Sequence, residues 1–546
     1  MSSFERLSPQ DTSFLYFESP VSHMHVGSVA VFEDPGLTAE EINAHIDQRL
    51  DLVPHFRKKL MWVPYGQGRP VWVDDPHFDV RFHVRHTGLP RPGGESELLT
   101  LMGRLMSTPL DRKRPLWELW MVDLPGDRKA VIQKTHHCLI DGVSGVDLAT
   151  VLLDLDKDAS PVEGERWRAA PAPSKGELLR ATLVERMVKP AEIVRTVRAA
   201  TRAPRKVLER ATAVAKGLAS FGGAALEIAP RTSLNQAIGP HRRFQVVRTH
   251  LEDLKVVKNR FGCTVNDVVL ALVAAGLRHI LVERGEKVDG LVMRAAVPVS
   301  VRDESERMTY GNRVAVMFAP LPVGEPDLAK RLQTIHEGMA HVKQSGEAVG
   351  ADALIQLSDF APPTIMALAA RAIERQWVMN LVVTNVPGPQ FPLYLRGGQM
   401  LEAFPFVPLV GTTTLGVAVL SYNGQINFGL SGDWDAVPDL ARFAQGIESG
   451  LAELLALVAA TPVPSPHVVS IEVRERARRG ADARIRVPVA RPARPSRSPG
   501  APSAPAAPAG KSQAKRCGGR SPPHHEGDRS DGGAIPPSPG TRGFRE

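Results

Sequence analysis

The sequence predicts an α/β protein with two domains of ordinary size followed by a tail. Three observations lead to this prediction. The chain has 546 residues, which is too long for one hydrophobic core. Its 43% hydrophobic and 23% charged residues are typical of a globular protein. Segments with strand-like alternation are interleaved with segments of helical spacing along most of its length.

Changes in composition divide the chain into four predicted segments. The first domain covers residues 1–165 and ends where the chain turns acidic and then Pro/Ala-rich. A linker with a basic helical tract covers residues 166–231, and a second α/β domain covers residues 232–463. The tail, residues 464–546, is rich in Pro, Ala and Arg, and we expect disorder because it cannot bury enough apolar area to offset chain entropy.

The elements of both domains follow from hydrophobic periodicity and capping signals. In the first domain we predict strands at about 25–32, 71–73, 80–84, 117–122 and 129–134, and helices at about 38–50 and 96–107. In the second domain we predict strands at about 244–249, 291–301, 312–320, 381–386, 412–421 and 425–430, and a closing helix at about 439–457. Thr264 and Asp267 have capping-box spacing and predict a further helix start.

The positive charge of the chain is concentrated in the tail. The formal net charge is +8, and residues 464–546 carry 16 Lys and Arg against 7 Asp and Glu. The preceding residues are therefore nearly neutral, so we expect no nucleic-acid partner. The three cysteines have no C-x-x-C spacing, which argues against thiolate zinc sites and disulfides and favours a reducing, cytoplasmic setting.

Membrane contact, if present, is expected to be peripheral. The N-terminus has no secretion signal, and we find no run of about 18 uninterrupted apolar residues. Residues 175–217 carry 11 Lys and Arg against 4 Asp and Glu. Two interpretations of this tract remain open: a connecting helix with a solvated charged face, or a helix on a membrane surface.

One short polar stretch is the strongest functional signal. The run Thr135-His136-His137-Cys138-Leu139-Ile140-Asp141-Gly142 follows a predicted strand and precedes a segment with helical spacing. Successive side chains of a strand face opposite ways, which places His137 on one face and His136 on the other. Only one of the two histidines can therefore face a given cavity.

Three other interpretations of this stretch are a metal site, a serine nucleophile and a buried core histidine. Adjacent histidines on a strand point apart, and the chain has no H-E-x-x-H helix, so we expect no metal site. The spacing around Ser144 is not G-x-S-x-G, and Ser144 is better explained as a helix N-cap. A buried core histidine remains an alternative to a catalytic one.

A general base is the interpretation that uses all of these residues. Because histidine titrates near neutrality, a neutral imidazole can take the proton of a hydroxyl that attacks an ester or thioester carbonyl. Asp141 would hold the local geometry, either by hydrogen bonding within the turn or by pairing with an arginine. Gly142 allows a backbone conformation that other residues resist.

The stretch from His136 to Gly142 matches the HHxxxDG motif of chloramphenicol acetyltransferase-like, CoA-dependent acyltransferases, a superfamily that also includes peptide-synthetase condensation domains. Further matches cover roughly residues 4–460 and resemble the bacterial wax ester synthase/acyl-CoA:diacylglycerol acyltransferase family. These are the blocks Leu7-Ser8-Pro9 with Asp11, Met24 to Gly27, Pro115-Leu116-Trp117, Asn235 to Arg243, Asn266-Asp267, Pro298 to Arg302, Gly311-Asn312 and Asn385 to Pro389.

The resemblance implies two similar acyltransferase domains of mixed sheets flanked by helices, joined by a crossover, with an active-site tunnel between them. It implies that His137 is the base, His136 its packed neighbour and Asp141 a structural residue, and that Asn266 faces the site from the second domain. It implies no cofactor: acyl-CoA is a co-substrate, and the acceptor is diacylglycerol or a fatty alcohol.

Two alternatives to triacylglycerol or wax ester synthesis stay open at this point. One is acyl transfer to another alcohol, as in a condensation-type enzyme. The other is a lipid-droplet surface protein that keeps the fold without the chemistry. For the enzyme we expect a cytoplasmic location, with peripheral association with the inner membrane face or with lipid droplets.

Overall fold

The computed structural model describes residues 4–139, 153–159, 167–185, 223, 227–300, 314–345 and 378–460. These residues belong to one compact unit, Met1–Val463. Asp141, Gly142 and Ser144 lie outside the described residues, as do most of the 175–217 tract and the whole tail. The predictions for those residues therefore stay predictions, and so do the four segment boundaries.

The N-terminal sheet has six strands in the order β12-β13-β2-β7-β6-β5. The pairs are antiparallel except for β5 with β6, which are parallel. Its strands are β2 (His25–Glu33), β5 (Val84–Thr87), β6 (Trp117–Leu124), β7 (Arg128–His136), β12 (Tyr394–Leu395) and β13 (Gly398–Phe406).

The C-terminal sheet also has six strands, in the order β10-β9-β11-β14-β15-β8. Only β11 is parallel to its neighbours, β9 and β14. The strands are β8 (Arg242–His250), β9 (Met293–Ser300), β10 (Val314–Leu321), β11 (Leu381–Pro387), β14 (Leu415–Tyr422) and β15 (Gln425–Asp433). A small third sheet has the order β1-β4-β3, formed by β1 (Glu5–Arg6), β4 (Val71–Asp74) and β3 (Lys58–Met61).

Seven helices with defined bounds accompany these sheets in the described part of the chain. They are α1 (Pro9–Phe17), α2 (Ala39–Arg49), α3 (Glu95–Met106), α4 (Leu251–Phe261), α5 (Val265–Glu283), α6 (Leu328–Ser345) and α7 (Leu440–Ala460). The predicted capping box of Thr264 and Asp267 is confirmed on α5, and Thr38 and Glu41 form another on α2.

Most predicted elements are present, and one is wrong. Residues 80–84, predicted as a strand, form a 3-10 turn at Val80–Phe82 before β5 starts at Val84. The Asp79 carboxylate accepts a hydrogen bond from Arg81 N at 3.0 Å and caps that turn. A local side-chain bond of this kind competes with strand pairing, and alternation alone does not reveal it.

The C-terminal half of the chain completes the N-terminal sheet. Strand β13 pairs with β2 over Met400–Phe406, although more than 360 residues separate the two strands. Gly429 of β15 approaches β13 so closely that a Cβ atom would lie 1.7 Å from Pro405 O. Asn427 Nδ2 donates to Ala403 O at 3.2 Å, and Ser431 Oγ donates to Val407 O at 2.8 Å. The two large sheets are therefore tied together through β13.

Helices α5 and α7 pack against the C-terminal sheet and form its core. By length and composition both could cross a membrane, but 72% of the apolar window of α5 is buried inside the protein, against 33% for α7. The composition of α5 is thus explained by its core position. Leu277 of α5 is fully buried, and truncating such a residue to alanine costs about 2–5 kcal/mol.

Candidate active site around the histidine pair

Helix α1 brings two side chains to the end of β7. Ser8 caps its N-terminus by accepting a hydrogen bond from Asp11 N at 3.0 Å, and Pro9 occupies the first helical turn. Leu15 is buried in the core of the N-terminal half. Phe14 lies in the last turn of α1, and Glu18 is the C-cap residue that follows it with an extended backbone. Phe14 contacts His137, and Glu18 contacts His136.

His136 is the last residue of β7 and is fully buried. Its Nδ1 atom accepts a hydrogen bond from Cys138 N at 3.1 Å, so the proton of the neutral ring belongs on Nε2. That Nε2 atom lies 3.3 Å from Glu18 Oε1. His136 therefore links the carboxylate to the backbone of the turn that follows β7.

Glu18 is a buried negative charge beside this histidine. Its side chain is 11% exposed. Burial opposes its ionisation, but His136 and the Arg112 guanidinium lower the pKa of Glu18 to about 2. Arg112 Nε donates to Glu18 Oε2 at 3.1 Å, and Met24 N donates to Glu18 Oε1 at 3.4 Å. Glu18 is thus ionised throughout the physiological pH range.

His25 lies opposite His136 on the neighbouring strand β2. Its Nε2 atom accepts a hydrogen bond from Leu110 N at 3.4 Å. Burial, reinforced by the positive charge of Lys134, holds the pKa of His25 well below its usual value. His25 is therefore neutral, and Glu18 keeps His136 and Arg112 as its close partners. Among the described residues no group of three or more His, Cys, Asp or Glu side chains could hold a metal ion.

His137 starts a 3-10 turn, His137–Leu139, rather than continuing the strand. The prediction that His137 continues the strand, on the face opposite His136, is therefore wrong. His137 N donates to Met24 O at 2.8 Å, and the bond from Cys138 N to His136 bends the chain away from the sheet. The two histidines still have different surroundings, because the turn carries His137 onto α1.

The imidazole of His137 stacks on Phe14, with 3.8 Å between ring centroids and 22° between ring planes. Among the described residues, its Nδ1 atom has no hydrogen-bond partner. Burial lowers the pKa of His137 to about 4. The ring is therefore neutral at physiological pH, which is the protonation state that a general base requires.

Lys134 precedes the pair on β7 and is completely buried. Its Nζ atom donates to Leu105 O at 2.8 Å and to Thr108 O at 2.5 Å, at the C-terminal end of α3. A cation is favourable at that end of a helix. Burial nevertheless lowers the pKa of Lys134 to about 8. This lysine joins the strand of the histidines to α3.

Asn266 lies in the first turn of α5, and its Oδ1 atom accepts a hydrogen bond from Asn385 Nδ2 at 3.3 Å. The next residue, Asp267, is buried and has Oδ2 at 2.7 Å from His336 Nδ1. Among the described residues no hydrogen bond joins Asn266 or Asn385 to either motif histidine. The structure thus brings together Asn266 and Asn385, which come from two separate motifs.

A cavity of about 490 Å³ opens on the α3 side of the N-terminal sheet. Val29, Leu98 and Phe404 form part of its wall, and Arg128 and Arg248 lie among its charged lining residues. Arg128 is the first residue of β7 and His136 the last, so this cavity and the histidines lie at opposite ends of that strand. The cavity is separate from the candidate active site.

The sequence predicts the two histidines but not their neighbours. No motif in the chain assigns a role to Phe14 or Glu18. The block Met24 to Gly27 contributes to the family resemblance without indicating that His25 faces His136. Both residues lie at the C-terminal end of α1, Phe14 in its last turn and Glu18 at its C-cap, and this becomes informative only once the position of α1 is known.

Comparison with known proteins gives the family. Residues 7–269 match the wax ester synthase/diacylglycerol acyltransferase catalytic domain, and residues 310–455 match the WS/DGAT C-terminal domain. A putative diacylglycerol O-acyltransferase of Mycobacterium tuberculosis is 35% identical over 481 residues, covering 85% of this chain and 92% of the relative. This chain belongs to the wax ester synthase/diacylglycerol acyltransferase family.

Solved structures agree with this assignment. The wax ester synthase/diacylglycerol acyltransferase from Marinobacter aquaeolei VT8 is 29% identical and has a TM-score of 0.60, covering 83% of this chain and 100% of that chain. The starter condensation domain of rhizomide synthetase is 15% identical with a TM-score of 0.51, covering 84% of this chain and 95% of that domain, and shares the fold. The predicted chloramphenicol acetyltransferase-like α/β fold is therefore confirmed.

Membership of the wax ester synthase/diacylglycerol acyltransferase family makes this chain an acyltransferase enzyme, as predicted. Its substrates are an acyl-CoA and an alcohol acceptor. The roles of individual residues are not established by these comparisons and depend on the geometry described above.

Proposed function

We propose that this acyltransferase moves a fatty acyl group from acyl-CoA to diacylglycerol, making triacylglycerol, and also to fatty alcohols, making wax esters, with His137 as the general base. The observation that carries the proposal is the placement of the His137 imidazole, which lies directly after β7 inside the HHxxxDG motif, stacks on Phe14 and has a lowered pKa. The names of the relatives, diacylglycerol O-acyltransferases and a wax ester synthase/diacylglycerol acyltransferase, support the choice of acceptors.

The reaction proceeds by direct transfer. His137 Nε2 takes the proton of the acceptor hydroxyl while the hydroxyl oxygen attacks the thioester carbonyl carbon. The tetrahedral intermediate then collapses: the carbon–sulfur bond breaks, the ester forms, and the CoA thiolate takes the proton back from the imidazolium. No acyl-enzyme and no cofactor take part. General base catalysis of this type typically contributes about 10²- to 10⁴-fold to the rate.

The test is the His137→Ala variant in an assay with labelled palmitoyl-CoA and either diolein or hexadecanol. We expect wild-type protein to form triacylglycerol and wax ester, and the variant to lose about 10²- to 10⁴-fold in kcat. His83→Ala is the matched control, because His83 is a buried histidine outside the HHxxxDG motif that stacks on Trp117.

Near-normal turnover by His137→Ala would contradict the proposed base. Wild-type protein that makes neither ester would point to another alcohol acceptor or to a non-catalytic role. Release of free CoA without ester would indicate hydrolysis instead of transfer.

We also propose that the protein is cytoplasmic and binds peripherally to the inner membrane face or to lipid droplets. Trp62 and Tyr65, beside the small sheet, are 42% and 88% exposed, and Trp62 contacts Tyr16 of α1 edge-on. Exposed aromatic side chains with polar tips favour a membrane–water interface. The helical residues 175–185 pack on β4 through Leu178 and expose Leu183 and Val184.

Flotation with liposomes that contain anionic phospholipid tests this association. We expect Trp62→Ser combined with Tyr65→Ser to reduce the bound fraction severalfold. Trp434→Ser is the matched control, because Trp434 is also 42% exposed but lies after β15 in the C-terminal half. Equal binding of all three proteins would contradict a role for these two aromatic residues.

A further inference from the structure

The stack of Phe14 on His137 is the closest contact between two aromatic rings in the described part of the chain. Phe14 cannot move freely, because α1 is held at both ends. Ser8 caps its start, and Glu18 at its end is bound by Arg112. Leu15, the next residue, is buried in the core. The Phe14 ring is therefore a fixed surface under the imidazole.

We propose that Phe14 is a positioning residue of the acyltransferase: its ring sets the plane of the His137 imidazole and shields one face of it from water. This inference rests on the proposed role of His137 as the base. It gives a role to the contact between Phe14 and His137, and Phe14 lies outside the HHxxxDG motif.

The two histidines of the motif are held in different ways. His136 is fixed by polar groups, since Cys138 N donates to its Nδ1 and Glu18 lies beside its Nε2. For His137, the described residues provide a stacked ring and no hydrogen bond to Nδ1. A stacked ring restrains the plane of an imidazole while leaving Nε2 in that plane free to take a proton.

The apolar character of Phe14 also affects the protonation of the His137 ring. A carboxylate against the His137 ring would favour the imidazolium and make it a poorer base at neutral pH. Phe14 instead contributes to the burial that lowers the pKa of His137 to about 4. The titratable groups on the elements packed around His137 are Asp11 on α1, Glu18 at the C-cap of α1, His25 on β2, His136 on β7 and Cys138 in the turn. Of these, a positive charge on His136 would lower the pKa of His137 further.

The test compares the pH dependence of kcat/KM in wild-type protein and Phe14→Ala. A base works only when it is neutral, so activity is lost as the pH falls through its pKa. We expect the wild-type rate to persist well below pH 6. Phe14→Ala exposes the ring face to water, so its acid limb should move up toward pH 6.5, the ordinary value for histidine, with about 10- to 100-fold lower kcat/KM at pH 7.5.

Phe78→Ala is the matched control. Phe78 also stacks on a histidine, His83, with 5.2 Å between ring centroids and 20° between ring planes. We expect this variant to lose thermal stability without any change in the pH profile. Phe14→Tyr keeps the stacked ring and should restore both the rate and the acid limb.

Phe14→Leu keeps most of the volume and protects against a failure of Phe14→Ala to fold. Without a flat surface under the imidazole, we expect a lower kcat at pH 7.5 and an unchanged KM for palmitoyl-CoA. A folded Phe14→Ala or Phe14→Leu protein with the wild-type rate and pH profile would overturn the proposal.

Direct titration of His137 by NMR with ¹³C-labelled histidine, assigned with His137→Gln, provides a second readout. We expect the pKa of His137 to be higher in Phe14→Ala than in wild-type protein, and an equal value would contradict shielding by Phe14. If His137→Ala stays active, the proposed function fails. If it is inactive while Phe14→Ala is normal, only the role of Phe14 fails.

Discussion

Replacing Glu18 by glutamine should remove a pH-dependent part of the stability of this acyltransferase. The pKa of Glu18 falls from 4.5 to about 2 in the folded protein. Each unit is worth about 1.4 kcal/mol, so the carboxylate contributes about 3 kcal/mol at neutral pH. Because the folded pKa is the lower one, this contribution is present above pH 4.5 and is lost as the pH falls toward 2.

Urea unfolding at a series of pH values between 7 and 2 measures the effect. We expect the difference in unfolding free energy between wild-type protein and Glu18→Gln to be about 3 kcal/mol larger at pH 7 than near pH 2. Arg112→Met removes one partner of the carboxylate and should reduce the pH-dependent part without abolishing it. A difference that stays constant over this range would refute the assignment of Glu18 as a buried charge bound to His136 and Arg112.

Three further substitutions test contacts that position the site. Lys134→Met leaves Leu105 O and Thr108 O without their donor and should destabilise the fold by about 1–3 kcal/mol. Because the pKa of Lys134 is lowered to about 8, wild-type protein should gain stability over this variant as the pH rises from 8 to 10.5, as measured by urea unfolding. Asp267→Asn removes the charge beside His336, and we expect a lower Tm by calorimetry and a reduced kcat. Gly429→Ala places a methyl group against Pro405 O and should lower the Tm by several degrees; an unchanged Tm would contradict the close approach of β15 to β13.

Local elements could be predicted from the sequence because their signals are local. The capping boxes at Thr38 and Thr264 lie within four residues, and the alternation over 25–33 and 117–124 depends on neighbours along the strand. The motif from His136 to Gly142 indicated the chemistry for the same reason. Its residue types and spacing are contiguous in the chain, so no tertiary information was needed to find them.

The tertiary structure decided which groups surround that motif. Sequence periodicity specifies the face of an element but not the partner that covers it, so it could not show that Phe14 lies under His137 or that Glu18 lies beside His136. Alternation also placed His137 on the strand, whereas β7 ends at His136 and His137 starts a 3-10 turn. Pairing of β13 with β2 depends on contacts between residues more than 360 positions apart.

The chain by itself determined the family, the motif histidines and most element positions. The protonation state of His137 was decided only by the fold. A pKa depends on burial and on neighbouring charges, and both are set by which elements pack together. Phe14, which stacks on His137, and Glu18, beside His136, lie in and directly after helix α1, more than 100 residues earlier in the chain.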